Sequence, residues 1–132
     1  MAKLTPYRLY KDLDLNFFLH PDTHDVTKTL DVNAVKQSVM LLINTYFGER
    51  LFHPEDGSPL PRLLFEPIDP ITTEVLKRSI EQVLQNHEPR VTLDLLEVTP
   101  KEEDNAYFIY LQVNIIGIPT PVTFSFTLQR LR

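Results

Sequence analysis

Between Asp31 and Tyr46 the apolar residues Val32, Val35, Val39, Leu42, Ile43 and Tyr46 recur three and four positions apart. That spacing predicts an amphipathic helix from Val32 to Tyr46. Asp31 stands where an N-cap belongs, and Gly48 where a helix-ending glycine belongs. Met40 and Leu41 widen the stripe, so burial on more than one side is expected. A second stripe, Val75, Leu76, Ile80, Val83 and Leu84, predicts a helix from Thr73 to His87. Thr72 is its expected N-cap, with Ile71 and Leu76 placed as a hydrophobic staple. Glu88 precedes Pro89, which disfavours the helical region for Glu88 and stops the helix.

Past Pro89 the period changes from helix to strand. Val91 to Thr99 reads as a first strand, with Val91, Leu93 and Leu95 alternating and a slip near Leu96 that suggests a bulge. Ala106 to Ile116 is a second. Val122 to Gln129 is a third, with Val122, Phe124, Phe126 and Leu128 on one face and Thr123, Ser125, Thr127 and Gln129 on the other. The short links Pro100–Asn105 and Gly117–Pro121 favour an antiparallel meander. The predicted fold is α+β: two main helices packed on a three-stranded antiparallel sheet, with an irregular N-terminal arm.

The remaining segments are less regular. The first thirty residues mix the aromatic anchors Tyr7, Tyr10, Phe17 and Phe18 with turn formers, and Lys11 to Leu15 reads as an extended arm ordered by docking. Glu49 to Asp69 is a long connection. His53 to Gly57 is a turn, and Ser58 to Phe65 holds one helical turn expected to plug Leu63, Leu64 and Phe65 into the core. One domain is expected over residues 1–132: an arm at 1–30, a helical part at 31–90 and a sheet at 91–132.

From Asn105 to Gln129 the chain carries no formally charged residue. Terminal strands lie near sheet edges, and edges are normally guarded by charges. This one is unguarded until Arg130. Its edge is either covered within the fold or completed by another chain through strand addition.

Composition narrows the chemistry. Charged residues make up 23% of the chain and the net charge is −5, which argues against a broad nucleic-acid surface. There is no cysteine, hence no disulfide, thiolate metal site or thiol nucleophile. Met1 to Pro6 lacks a signal-peptide apolar region. The apolar run near the C-terminus is broken by Pro119 and Pro121, so no membrane helix is expected. His20, His24 and Asp25 share a loop without the fixed spacing of a metal site, and no metal or cofactor is predicted. Glu66, Asp69, Glu88 and the Glu102–Asp104 cluster supply carboxylates, but no apolar pocket that would raise one pKa for glycoside hydrolysis. Ser38, Ser58, Ser79 and Ser125 lack a nucleophile-elbow setting, and there is no glycine-rich phosphate loop.

Glu88-Pro89-Arg90 is a sharper feature. Read from the residues alone it is first a helix stop with a surface ion pair. The other reading is an Arg fork, held at a rigid corner, that pairs bidentately with a partner's acid group.

Taken in order, Tyr10-Lys-Asp-Leu-Asp14, the helix of Asp31 to Tyr46, Leu51-Phe-His-Pro-Glu-Asp-Gly57, Leu60-x-x-Leu-Leu-Phe-Glu66, Thr72-x-x-Val75, Ile80 and Glu88-Pro89-Arg90 resemble the gene 25-like baseplate wedge proteins of contractile-tailed phages, of the T-even type. Related proteins occur in type VI secretion baseplates. The resemblance implies a non-enzymatic part of the sixfold tail baseplate, made in the host cytoplasm and carried in the virion. Its partners would be other baseplate wedge proteins and the tail sheath protein, with no nucleic acid or membrane. It implies wedge docking through Glu88, Pro89 and Arg90. It also implies sheath templating on the strands at 106–116 and 122–129, with Val122, Thr123, Phe124, Ser125, Phe126 and Thr127 as the receiving edge. The stiff turn Ile118 to Pro121 departs from the family pattern. The family also carries a lysozyme label, so a peptidoglycan hydrolase is the competing reading; a secretion-system baseplate part is another.

Overall fold

The structure, a computed structural model, describes residues 9–130. In chain order it contains β1 Lys11–Leu13, β2 Lys28–Leu30, α1 Asp31–Asn44, α2 Leu60–Leu63, α3 Pro70–His87, β3 Val91–Lys101, β4 Ala106–Ile115 and β5 Val122–Gln129. The last three form an antiparallel meander in the order β3-β4-β5. Val35, Val39 and Ile43 of α1 and Leu76, Ile80 and Leu84 of α3 share one core with Leu96, Tyr107, Ile109, Leu111, Val113, Phe124 and Leu128 of the sheet. This is the α+β arrangement expected from the periodicity. The arm is a two-stranded ribbon, β1 antiparallel to β2, interrupted around Phe17, whose φ is 53°. Tyr7 lies outside the described residues.

Helix α1 starts and stops differently from expectation, and α3 starts earlier but ends at His87 as expected. Asp31 has φ 49° and turns its carboxylate back toward the arm; Leu30 occupies the cap position. Helix α1 closes at Asn44, so Tyr46 lies beyond it. Its last carbonyls are taken by nearby polar groups: Thr45 Oγ1 donates to Leu41 O at 2.6 Å and Ser58 Oγ to Ile43 O at 2.6 Å. These contacts satisfy groups that a helix end leaves open. Gly48 therefore plays no part in the stop. It sits in the next turn with φ 80° and donates its N–H to Pro54 O. Helix α3 begins earlier than Thr73, at Pro70. Asp69 is the cap, accepting the Thr72 N–H at 2.6 Å, and Pro70 fits the first turn because it has no N–H to leave open. Ile71 is exposed while Leu76 is buried, so no staple forms.

One packing expectation is corrected. In the long connection Leu60 and Leu64 are buried and Leu63 packs against the core, whereas Phe65 is exposed. The expected bulge is present in β3, where the register shifts between Leu93 and Leu95. The extra residue, Asp94, rotates the strand so that Leu96 faces the core at 4% exposure and Leu95 faces solvent at 42%. Gly57 has to be glycine: a Cβ there would stand 2.8 Å from the Tyr46 carbonyl. That approach holds the connection against the end of α1, where Ser58 N–H donates to Thr45 O.

Candidate functional site

The chain turns sharply between α3 and β3, and Val91 N–H closes the turn on Glu88 O at 3.2 Å. Glu88 ends the helix with its side chain only 3% exposed, in contrast to the surface ion pair read from sequence. Its carboxylate takes both Arg90 Nε–H, at 2.6 Å, and Arg90 Nη2–H, at 2.8 Å. Ser38 Oγ of α1 adds a third hydrogen bond at 2.7 Å. The Arg90 guanidinium lies 5.4 Å from the centre of the Tyr10 ring, a cation–π distance. Tyr10 is itself fixed, its hydroxyl donating to Ile116 O at 2.7 Å. Arg90 O accepts from Ile116 N–H at 2.9 Å. The corner thus joins the arm, α1, the end of α3 and the end of β4.

This geometry changes what Arg90 can offer. Its Nε–Nη2 edge, the edge suited to a partner's carboxylate, is already on Glu88. Guanidinium carries five N–H donors, so the two on Nη1 and the second on Nη2 are left without an acceptor among the described residues. The side chain is 32% exposed. Burial pushes the Glu88 carboxyl up, but the hydrogen bonds from Arg90 and Ser38 and the guanidinium charge outweigh it, and the net shift is downward. The same hydrogen bonding, donated by Arg90 to Glu88, holds Arg90 above its ordinary value.

The second region is the outer border of β5. Arg130 N–H donates to Asn105 O at 2.9 Å, which extends the register pairing Ala106 with Gln129. In an antiparallel ladder hydrogen-bonded pairs alternate with non-hydrogen-bonded ones. Val122, Phe124, Phe126 and Leu128 therefore bond β4 through their backbone. Thr123, Ser125, Thr127 and Gln129 turn their backbone N–H and C=O outward. Neither border of the meander pairs with a further strand among the described residues. The β3 border is interrupted by the bulge at Asp94, and Pro100, opposite Tyr107, removes an outward donor. The β5 border has neither device. Beside it runs a groove of about 470 Å³ lined by Asn44, Pro61, Leu64, Thr127, Leu128 and Gln129.

Of the six edge residues read from sequence, Thr123, Ser125 and Thr127 have backbone groups free to pair, and Gln129 adds a fourth. Val122, Phe124 and Phe126 instead face the helices. Tyr10 and Ser38 were not connected to the corner by sequence; both lie far from it along the chain. Elsewhere, His20 Nδ1 accepts the Asp22 N–H, and no cluster of three or more metal-ligating side chains exists among the described residues. Asp69 is held below the usual carboxylate range, chiefly by the Thr72 N–H. Glu88 and Asp69 are thus both shifted opposite to the direction a general acid needs. No helix of the described residues is long and apolar enough to cross a membrane.

Known proteins are similar to this chain. The family model for baseplate wedge protein gp25 matches residues 30–118. Baseplate wedge protein gp25 of Enterobacteria phage T4 is 30% identical over 115 residues, covering 87% of this chain and 86% of its own. Three solved structures share the fold. A Geobacter sulfurreducens protein with a provisional tail-lysozyme label is 19% identical with a TM-score of 0.70, over 76% of this chain and 91% of its own. A chain of the postcontracted pyocin R2 baseplate is 21% identical with a TM-score of 0.64, over 82% and 100%. A chain of the sixfold-symmetrised anti-feeding prophage baseplate is 22% identical, also at 0.64, over 93% and 87%. The matched span runs from the start of α1 through the Glu88–Arg90 corner to the turn after β4, and on these grounds the chain belongs to the baseplate wedge protein gp25 family.

Proposed function

We propose that this chain is a non-enzymatic component of a phage tail baseplate wedge, carried in the virion, and that it starts assembly of the contractile sheath. The open β5 border carries the reading. Four successive outward residues, Thr123, Ser125, Thr127 and Gln129, offer backbone donors and acceptors without a charge, proline or bulge to block them. An extended arm of the sheath protein adds there as a further strand. Backbone hydrogen bonds supply affinity, and the groove over Leu64 and Leu128 takes an apolar side chain of the arm. The Glu88-Pro89-Arg90 corner docks the chain to other wedge proteins through the Arg90 N–H groups that Glu88 leaves untaken, and the sixfold baseplate repeats the arrangement around the tail.

The chain has no cysteine, so a single cysteine placed at Thr127 can be walked against cysteines along the sheath arm in assembled tails. Crosslinks at every second arm position are expected, because side chains alternate along a strand. Uniform failure to crosslink in tails that carry a normal sheath would refute strand addition.

A further inference from the structure

We infer that Tyr10 and Ser38 are positioning residues of the docking corner, so that the working unit extends beyond Glu88-Pro89-Arg90 to the arm and α1. The inference rests on the corner being the wedge-docking site. An arginine side chain is long and rotates freely, and docking through its untaken donors requires that they point one way before the partner arrives. Glu88 fixes one edge of the guanidinium at 2.6 and 2.8 Å. That alone leaves Glu88 to be held, and Ser38 Oγ does so from α1 at 2.7 Å. Tyr10 supplies the remaining constraint, its ring face lying under the guanidinium with the centroid 5.4 Å from the guanidinium carbon.

Tyr10 is suited to that role because it is anchored independently of Arg90. Its hydroxyl is tied to Ile116 O at 2.7 Å, its backbone N–H reaches Asp31 Oδ1 at 3.3 Å, and its carbonyl accepts the Asp31 N–H at 2.8 Å. The left-handed conformation of Asp31, φ 49°, lets one residue at the head of α1 hold the arm through both main chain and side chain. Tyr10 lies outside the residues matched by the family model, which begin at 30. The contact therefore assigns to the arm a role in docking that the matched span does not include.

The test uses the full-length chain with labelled arginine side chains, and separately tail particles assembled with each variant as the sole copy. In the isolated chain, Tyr10→Leu and Ser38→Ala should each speed hydrogen exchange at Arg90 Nε–H by about five- to tenfold, the scale of one cation–π contact or hydrogen bond, while Tyr10→Phe, which keeps the ring but loses the tie to Ile116 O, falls between Tyr10→Leu and wild type. In particles, Tyr10→Leu should lower the amount of this chain about as far as Arg90→Ala does, and the double variant should fall no further. Tyr10→Trp, which restores a ring, should partly rescue both readouts. Thermal unfolding of each variant separates these effects from loss of the fold, and Tyr10→Trp keeps the comparison available if Tyr10→Leu is unstable. Wild-type exchange and incorporation for Tyr10→Leu, beside a defective Arg90→Ala, would overturn this inference alone, as would additive losses in the double variant. Normal incorporation of Arg90→Ala would overturn the docking reading itself.

Discussion

Glu88 and Arg90 stand on either side of Pro89 and form a two-point ion pair, at 2.6 and 2.8 Å, with the carboxylate almost fully buried. Pro89 ends α3 and turns the chain so that residues two apart can face each other. The pair therefore serves the fold as well as any partner. Removing one member leaves the other charge buried and uncompensated. Arg90→Ala should cost about 3 kcal/mol, the low end for a broken buried pair because Arg90 is partly exposed. Replacing both members with methionine should recover most of that stability without restoring docking. Chemical denaturation checks the first half, and wedge incorporation checks the second.

The downward shift of Glu88 makes stability depend on pH. With the folded pKa below the unfolded one, the unfolded chain binds more protons between the two. Stability from this group is fully present above the ordinary glutamate value of about 4.3 and is lost as pH falls through the folded pKa. Asp69 shifts in the same direction, so part of the acid sensitivity belongs to it. Melting temperatures between pH 7 and pH 2 should fall in the acid range, and less steeply for Glu88→Gln than for wild type. Parallel curves would show that the pair contributes nothing through linkage.

Periodicity made the sheet and both long helices legible, because each has one face in a shared core. The bounds of β5 were read correctly, since alternation runs unbroken from Val122 to Leu128. Helix ends were harder. Thr72 and Asp69 both suit a cap, and what favours Asp69 is the fit of Pro70 in the first turn behind it. Gly48 looked like a helix stop, yet Ser58, from the far end of a loop, closes α1. The corner was visible as a motif but not as a buried pair. Its holders, Tyr10 and Ser38, come from elements whose packing one sequence does not specify. Pro100 carried a readable signal: a proline late in a predicted strand marks an edge, and it distinguishes the blocked border from the open one.

The cap assignment gives a direct comparison. Asp69→Ala should lower the denaturation midpoint through loss of the N-cap bond to Thr72. Asp69→Asn, which keeps an acceptor, should lower it less. Equal losses for the two variants, measured by denaturation at neutral pH, would mean that charge rather than capping matters at this position.

The two borders of the meander can be set against each other. Lysines at Ser125 and Thr127 place charges on outward-facing, exposed positions of β5, so stability should change by no more than about 0.5 kcal/mol. Strand addition at that border should nevertheless fail, because charged edge residues oppose a further strand. Particles carrying this double variant should assemble baseplates that lack sheath. Pro100→Thr tests the opposite side. It restores a backbone donor at an edge now interrupted by proline, and the isolated chain should then self-associate in a concentration-dependent way, detectable by sedimentation. If the lysine variant builds normal sheath while Pro100→Thr impairs it, the β3 border, not β5, receives the arm.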